Sequence, residues 1–304
     1  MNPVDVNTGI LNIKFFVEEL TRLYHNKVGG LRAVTNNKGV VVGKTIRWPL
    51  VDTDGIASPT NFGSPTIPDS LVADTVEADI VPYEGAVSLD PFILASTNSA
   101  AGLRAAAAEK VMNKIENRFT DVILTALAQY DDTNMELGSS SETFDVDFMT
   151  DLDTMARVNN WPDGNRFLLL PPQAENSLKK DSKFYEIWSL YQGRALANPG
   201  APVAESNSLI WYPWRGWNIA FMGQKGADNT TGLPATNGSN EAKGYAWVRD
   251  RVGFGMNQNI EGDVFIDKTK QGNPIVFKAN GSCGATIIDK KGVIGIVISG
   301  TLPF

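Results

Sequence analysis

Few side chains in this sequence could do chemistry, and they do not form a recognisable catalytic set. The chain has one histidine, His25, and one cysteine, Cys283. Any Ser-His-Asp or Cys-His nucleophile would have to use His25, which lies at the end of a predicted helix, where an interaction with the helix dipole explains it more simply. One cysteine excludes an intrachain disulfide and a multi-thiolate metal site, and its apolar, glycine-rich surroundings predict a buried structural thiol. We expect no enzyme activity.

Three close pairs of aspartates could in principle bind calcium through their carboxylate oxygens. They are Asp52 and Asp54, Asp145 and Asp147, and Asp151 and Asp153. In the first pair Gly55 comes too early for a calcium-binding loop of twelve residues. The other two pairs lie on or beside a predicted helix, where a charge at the helix N-terminus or a solvated face is the simpler role. We expect no metal.

Two other motifs match ligand-binding patterns only in part. Gly253-Phe254-Gly255 has no third glycine at Gln258 and no helical pattern after it, so it is not a dinucleotide-binding loop. An aromatic cluster could stack on sugars or bases, although a packed corner of a domain suits it better; it consists of Trp211, Tyr212, Trp214 and Trp217. We expect no cofactor.

The composition is that of a globular protein. The 304 residues are 42% hydrophobic and 20% charged, and the longest apolar runs, such as 294–298, are too short to span a bilayer. The N-terminus lacks the basic and apolar segments of a secretion signal, so cytoplasm is the expected compartment. A net charge of −7 argues against a protein that neutralises nucleic-acid phosphates over a large surface, and leaves room for local contact only.

The pattern of the first half predicts an N-terminal arm, an extended two-stranded loop and one long helix. The residue pattern predicts an amphipathic helix over 8–26. The segments 40–48 and 72–83 are predicted to be the two strands of a long extended loop whose tip, 49–70, is rich in proline and polar residues. Apolar residues then recur at three- and four-residue steps from Asn98 to Tyr130, which predicts one long amphipathic helix.

The second half predicts a separate mixed region and a β-rich end. After a polar linker at 131–141, residues 145–158 read as a helix, 166–170 as a buried strand and 172–181 as a second helix, and 223–244 as a surface loop. From Ile260 onward, short strands at 264–266, 275–277, 285–288 and 293–298 predict a β meander over the last forty residues.

This order of parts resembles the major capsid protein of tailed bacteriophages, whose fold is shared with encapsulins. The resemblance covers nearly the whole chain. Its local features are Asp90-Pro91 before the long helix, the run 167–172 leading to Leu178 and to 181–184, and the tail 284–288 followed by 293–297. It implies an α+β fold with an N-terminal arm (1–40), an extended two-stranded loop (41–86), a peripheral domain with a long spine helix and a β-sheet (87–133 and 258–304), and a mixed α/β axial domain (134–257).

The resemblance also implies a function and partners. The chain would assemble through hexamers and pentamers into an icosahedral head around double-stranded DNA, made in the bacterial cytoplasm and found in the virion capsid. Partners would be a separate scaffolding protein, a portal at one vertex and a possible cement protein, with nonspecific contact to packaged DNA and no membrane. An encapsulin-type shell holding cargo protein is the alternative, and an enzyme or carbohydrate-binding module that uses the aromatic cluster is a third.

The charges predict how copies would meet. Between Thr45 and Gly85 there is one base, Arg47, and seven acids: Asp52, Asp54, Asp69, Asp74, Glu77, Asp79 and Glu84. We expect this acidic loop to cross a neighbouring subunit, burying Trp48, Phe62 and Tyr83 there, on a surface with basic groups from the spine helix and a later turn. Those basic groups are Arg104, Lys110, Lys114, Arg118, Lys268 and Lys270.

The sequence differs in two ways from some members of the family that it resembles. Some relatives join subunits by isopeptide bonds from a lysine in the extended loop, but no lysine occurs here between Lys44 and Lys110. We therefore expect a noncovalent shell. The sequence also begins directly with the arm, which favours a separate scaffolding protein over a removed N-terminal prefix.

Overall fold

The computed structural model describes residues 30–40, 43–51, 73–90, 100–181, 211–214, 216–225, 231–236, 240–257 and 261–301. The helices are α1 (Ala100–Leu127), α2 (Val146–Val158) and α3 (Pro172–Lys180). The first strands are β1 (Asn36–Val40), β2 (Thr45–Val51), β3 (Ala73–Asp79), β4 (Val81–Leu89), β5 (Glu136–Gly138) and β6 (Arg166–Leu170). The others are β7 (Tyr212–Trp214), β8 (Trp217–Phe221), β9 (Glu241–Val248), β10 (Val252–Met256), β11 (Glu261–Ile266), β12 (Ile275–Ile287) and β13 (Val293–Ser299).

Helix α1 is the predicted spine and confirms the periodicity argument. Its 28 residues extend over about 42 Å at 1.5 Å per residue. One face is fully buried at Val111, Ile115, Phe119 and Ile123, which recur at four-residue steps as an amphipathic helix requires. Among the described residues, no helix combines the length and hydropathy needed to cross a membrane.

The buried face of α1 lies on a five-stranded sheet organised around β12. This strand pairs antiparallel with β10 and β11 and, over residues 275–283, antiparallel with β4, while β1 joins the far side of β10. The residue pattern predicts two short strands here, 275–277 and 285–288, where the structure has the single strand β12. That division is wrong: a β-carbon on Gly281 would lie 3.3 Å from Cζ of Phe119, so the glycine lets the helix approach an unbroken strand.

The second large sheet has six strands, in the order β5-β13-β9-β6-β8-β7. Strand β13 pairs with β9 and β5 in this sheet, so the prediction of one β meander over the last forty residues is wrong. The physical reason is that Ile294, Ile296, Val297 and Ile298 are all buried, on both faces, as in a central strand covered on two sides. The domain limits given above stay a prediction, but this strand is joined to β9 of the predicted axial region.

The mixed middle of the chain forms as predicted. Helix α2 begins after Asp145, whose carboxylate accepts a hydrogen bond from the backbone N–H of Phe148 at 2.8 Å, so this aspartate is an N-cap. Strand β6 follows, and α3 starts at Pro172, where a missing N–H costs the helix nothing. The helical role expected for Asp145 is confirmed.

A buried turn at Leu31–Val34 joins both sheets to the spine helix. Within it, Arg32 is 4% exposed, binds Glu116 at 2.6 Å and stacks on the ring of Phe119. The carbonyl of Val34 accepts a buried hydrogen bond from Nε1 of Trp247 at 2.9 Å. The part of the predicted arm that the structure describes is therefore fixed on its own subunit.

The end of the spine helix is fixed to the six-stranded sheet by Tyr130. Its hydroxyl donates to Glu136 on β5, and its ring edge contacts Tyr245 on β9. Between these strands, Gly295 on β13 leaves the space that the ring of Tyr130 fills, since a β-carbon there would overlap the ring. One aromatic side chain thus spans three strands.

Candidate assembly surface

The side chains weighed for catalysis or ligand binding are mostly structural. Trp214 and Trp217 are each 1% exposed in the core under the six-stranded sheet, and the ring of Trp211 contacts Trp247, so the preference for packing is confirmed. Cys283 is buried, and this burial raises the pKa of its thiol to about 12, which confirms a structural thiol. His25 lies outside the described residues.

One aspartate of each of the two described acidic pairs, Asp145 and Asp153, has a structural role. Asp153 binds Arg157 at 2.8 Å and the buried Arg166 at 2.7 Å. Partial burial opposes ionisation, but the hydrogen bonds and charges of these two arginines outweigh it and lower the pKa of Asp153. Within the described ranges, no group of three or more histidine, cysteine or acidic side chains is close enough to hold a metal ion.

The base of the predicted extended loop is an antiparallel hairpin of β2 and β3. Arg47 and Glu77 face each other in register and form an exposed ion pair at 2.6 Å, and Asp74 accepts from the backbone N–H of Thr75. The same hairpin buries Ile46 and Trp48 on its other face, at 0% and 2% exposed. Of the predicted contact residues, Asp52, Asp54, Phe62 and Asp69 lie outside the described residues.

Trp48 and Tyr83 are packed by their own chain. The ring of Trp48 lies on β10, while Tyr83, on β4, lies beneath the guanidinium of Arg118, 4.5 Å from its ring centroid. The expectation that a neighbouring subunit buries these two aromatic side chains is therefore corrected for Trp48, because intrachain packing leaves almost nothing of it to cover. Tyr83 is half-buried in the single chain.

The basic residues of the spine helix divide into engaged and unengaged side chains. Lys114 donates to the carbonyl of Ala86 at 2.6 Å, and Arg118 forms an ion pair with Asp121 at 2.8 Å. Lys110 is exposed and Arg104 half-buried, and no hydrogen bond or ion pair of either occurs among the described residues. The helix thus carries free positive charge towards its N-terminal end.

The second predicted basic group lies in the turn between β11 and β12. Lys268 and Lys270 are exposed there, and Lys270 is 3.7 Å from Asp267, whose pKa is lowered by hydrogen bonds from Thr269. The strand before this turn ends in Phe265 and Ile266, at 44% and 46% exposed. The tip of the sheet is therefore both basic and apolar.

Sequence reasoning missed three glycines that receive the hairpin base. A β-carbon on Gly253 would lie 2.5 Å from Cε2 of Trp48, and one on Gly255 would lie 2.6 Å from Cδ1 of Ile46. Gly284, the cross-strand partner of Gly255, lies beneath the carbonyl of Asp79. The signal was present, since glycines at alternate positions of a strand indicate close approach of another element, but Gly253-Phe254-Gly255 was considered only as a nucleotide motif.

The hairpin base and the spine helix lie on opposite faces of the five-stranded sheet. Gly281 and Gly284 are three positions apart on β12, so their missing side chains would point to opposite faces. The first faces Phe119 of the helix and the second faces Asp79 of the hairpin. The chain is therefore three layers thick at this point: helix, sheet and hairpin.

Comparison with known proteins reveals similarity in structure only. No protein-family model matches the chain, and no characterised protein sequence matches it. The capsid of Ralstonia phage GP4 is similar at a TM-score of 0.64 and 14% identity, over 89% of this chain and 88% of that one. The capsid of Helicobacter pylori bacteriophage KHP30 is similar at a TM-score of 0.59 and 14% identity, over 90% of this chain and 92% of that one. A virus-like particle from Pyrococcus furiosus is similar at a TM-score of 0.52 and 11% identity, over 94% of this chain and 97% of that one.

These matches extend over nearly the full length of both partners, so they concern the whole arrangement of elements. At identities of 10–16%, the shared property is the fold. This chain has the α+β fold of phage capsid subunits, with a spine helix, a loop hairpin and two sheets.

Proposed function

We propose that the chain is the major capsid protein of a tailed phage, which assembles through hexamers and pentamers into an icosahedral head around double-stranded DNA. The observation that carries this proposal is the match, over about nine-tenths of both chains, to subunits of assembled phage capsids. The chemistry agrees, because the residues considered for catalysis, where described, are engaged in packing, capping and ion pairs. The role is structural.

The alternative, an encapsulin-type shell around cargo protein, is not favoured. The virus-like particle from Pyrococcus furiosus matches 94% of this chain at a TM-score of 0.52, below the 0.64 of the Ralstonia phage capsid. The two candidates differ in what the particle contains. A net charge of −7 restricts contact with packaged DNA to local, nonspecific patches in the first case.

The first test is the size of the purified protein by sedimentation, followed by electron microscopy of any large species. Closed particles tens of nanometres across, formed alone or with a separate scaffolding protein, are the expected result. Nuclease-sensitive nucleic acid in particles from infected cells supports the phage head, and a defined cargo protein supports the alternative. A monomer that stays monomeric with the scaffold, and with the portal as nucleus, contradicts both.

Within the particle, the acidic loop of one subunit is proposed to lie on basic groups of the next. The helix and β12 run side by side, with Ile115 and Phe119 beside Gly281 and Val111 beside Gly85. Because a helix rises about 1.5 Å per residue and a strand about 3.3 Å, Arg104 reaches the level of Ile275, next to the turn that carries Lys268 and Lys270. Arg104 and Lys268 therefore lie towards one end of the sheet, beside Lys270 with its partner Asp267, which supports a landing surface there.

Charge reversal tests this surface. Lys268→Glu with Lys270→Glu is expected to reduce particle yield strongly while the subunit remains folded, because both side chains are exposed. Adding Asp52→Lys and Asp54→Lys should restore assembly. The matched control is Lys290→Glu with Lys291→Glu, two exposed lysines in another turn. Normal particles from the first pair, or no rescue by the second, reject the landing surface and leave the capsid role standing.

The shell is proposed to be noncovalent, with a cement protein as a possible addition. Beyond Lys44, near its start, the predicted loop has no lysine for an isopeptide bond, and the next lysine in the sequence is Lys110. Boiling purified particles in detergent is therefore expected to give a single band at the 33.0 kDa of the chain. A ladder of multiples would contradict this part of the proposal.

A further inference from the structure

We propose that Gly253, Gly255 and Gly284 are positioning residues for assembly: they form a seat that fixes the base of the loop hairpin on its own subunit. Contact with a neighbouring subunit then begins beyond Trp48 and not at it. Only the statement about where subunits touch in the particle rests on the proposed function. The seat itself is a property of the single chain. We call these three glycines the hairpin seat.

The first support is steric fit. The five-stranded sheet has no side chains at the three seat positions, and the hairpin fills the space with the ring of Trp48, the side chain of Ile46 and the backbone of Asp79. Side chains in protein interiors are packed as densely as organic crystals, so a gap matched atom for atom by another element fixes that element's position. The hairpin base cannot slide along β10 without lifting Trp48 and Ile46 out of the seat.

The second support is burial without a neighbouring subunit. Ile46, Trp48 and Ala78 form a small apolar cluster of their own, at 0%, 2% and 6% exposed, with Ile80 and Ile288 packed at its margin. Lys38 covers the outer side of Trp48, with its ammonium 5.6 Å from the ring centroid, and donates to the carbonyl of Arg47. The inner face of the hairpin base is therefore closed before any assembly contact is made.

The third support is the polarity of the outer face. Arg47 and Glu77 alternate with the buried residues and pair with each other in the solvent. A surface ion pair of this kind contributes little to stability, so it does not hold the hairpin in place. The seat on the inner face is the part that determines the direction in which the two strands leave the subunit.

The test uses one added methyl group and one removed methyl group. Gly255→Ala places a β-carbon 2.6 Å from Cδ1 of Ile46, and Ile46→Val removes that same Cδ1. The next contact, at 3.5 Å, is ordinary packing, so the double variant should fit. Gly30→Ala is the control, because a β-carbon there has no atom within 4 Å and its φ of −72° suits any residue.

The readout that does not depend on assembly is hydrogen exchange of the unassembled subunit. Wild-type amides at 45–48 and 76–79 should be protected. Overpacking by one methyl group should lower this protection about 5- to 150-fold in Gly255→Ala. Gly30→Ala should leave the protection unchanged, and the double variant should restore it. Equal protection in Gly255→Ala and wild type overturns the seat.

Assembly provides the second readout. On particle formation, added protection should appear within 52–72, while 45–48 and 76–79 stay as they were. Gly255→Ala should lower particle yield and the added Ile46→Val should recover it, although each subunit keeps its far-UV circular dichroism. If the amides of 45–48 exchange freely in the subunit and become protected only in particles, the inference is wrong. A wild type that never assembles contradicts the proposed function and leaves the exchange test of the seat intact.

Discussion

The two sheets of the subunit complete their cores in different ways. In the six-stranded sheet, β13 is buried on both faces and the tryptophans of β7 and β8 fill the core from within the same chain. In the five-stranded sheet, the helix covers one face, the hairpin base covers part of the other, and Phe265 and Ile266 remain about half exposed at the tip. Among the described residues, the core of the six-stranded sheet is closed, whereas the five-stranded sheet keeps apolar surface uncovered at Phe265 and Ile266.

This difference separates stability from assembly. Changes inside the six-stranded region should act on the free energy of unfolding of the subunit, and changes at the tip of the five-stranded sheet should act on particle yield. Three predictions follow this division from its largest effect to its smallest.

The largest effect is expected from Arg166→Ala in the six-stranded region. Arg166 is 2% exposed, contacts Asp153 and Asp163, and donates to the carbonyls of Trp161 and Pro162. The variant leaves the carbonyls of Trp161 and Pro162 without their donor and removes the guanidinium packed on Trp217, so we expect a loss of about 3 kcal/mol. Urea unfolding of the unassembled subunit measures this loss.

The exposed neighbour Arg157 provides the control for that experiment. Its side chain is 66% exposed and binds the same Asp153. Arg157→Ala should cost less than about 1 kcal/mol, as for a surface ion pair. Equal losses in the two variants would show that burial does not decide the contribution of these arginines.

An intermediate effect is expected when Asp153→Asn is compared with wild type, and the difference in their free energies of unfolding should depend on pH. The pKa of Asp153 is lowered in the folded chain, so the ionised carboxylate stabilises the fold above its ordinary pKa of 3.8. That contribution disappears as the pH falls through the lower, folded pKa. The gap in stability between wild type and variant should be full near neutral pH and shrink below about pH 4. Unfolding curves at several pH values measure it, and a gap that widens with acid would contradict the assignment.

The smallest effect on the subunit is expected from Phe265→Ser with Ile266→Ser. Both side chains are about half exposed, so the free energy of unfolding should change by no more than about 1 kcal/mol. Particle yield should nevertheless fall, because the tip loses the apolar area that assembly would bury. Val158→Ser, at a residue 75% exposed on α2, tests whether any exposed apolar side chain has this effect. Equal yields in the two variants would remove the distinction between the sheets.

Local patterns predicted the elements that are determined locally. The four-residue recurrence in the spine helix, the cap at Asp145 and the apolar run of β6 all depend on neighbours in sequence, and each forms as expected. Pairing between distant segments left no such signal. Strand β13 reads the same whether it joins β12 or β9, and only the burial of both its faces shows that it is a central strand.

The candidate surface was predictable in charge but not in geometry. The acidic loop and the basic groups are visible from composition alone, whereas the engagement of Lys114 with Ala86 depends on how the helix lies on β4. Trp48 was misplaced for the same reason. An aromatic residue in an excursion suggests an outward contact, and only the glycines of β10, more than two hundred residues later, show that its pocket is in the same chain.

Tyr130 gives the subunit a mechanical property. The ring of Tyr130 fills the gap at Gly295, its edge contacts Tyr245, and its hydroxyl donates to Glu136. A rotation of the spine helix about its axis would therefore press this ring against β5, β13 and β9. Tyr130 thus couples movement of the helix to movement of the six-stranded sheet.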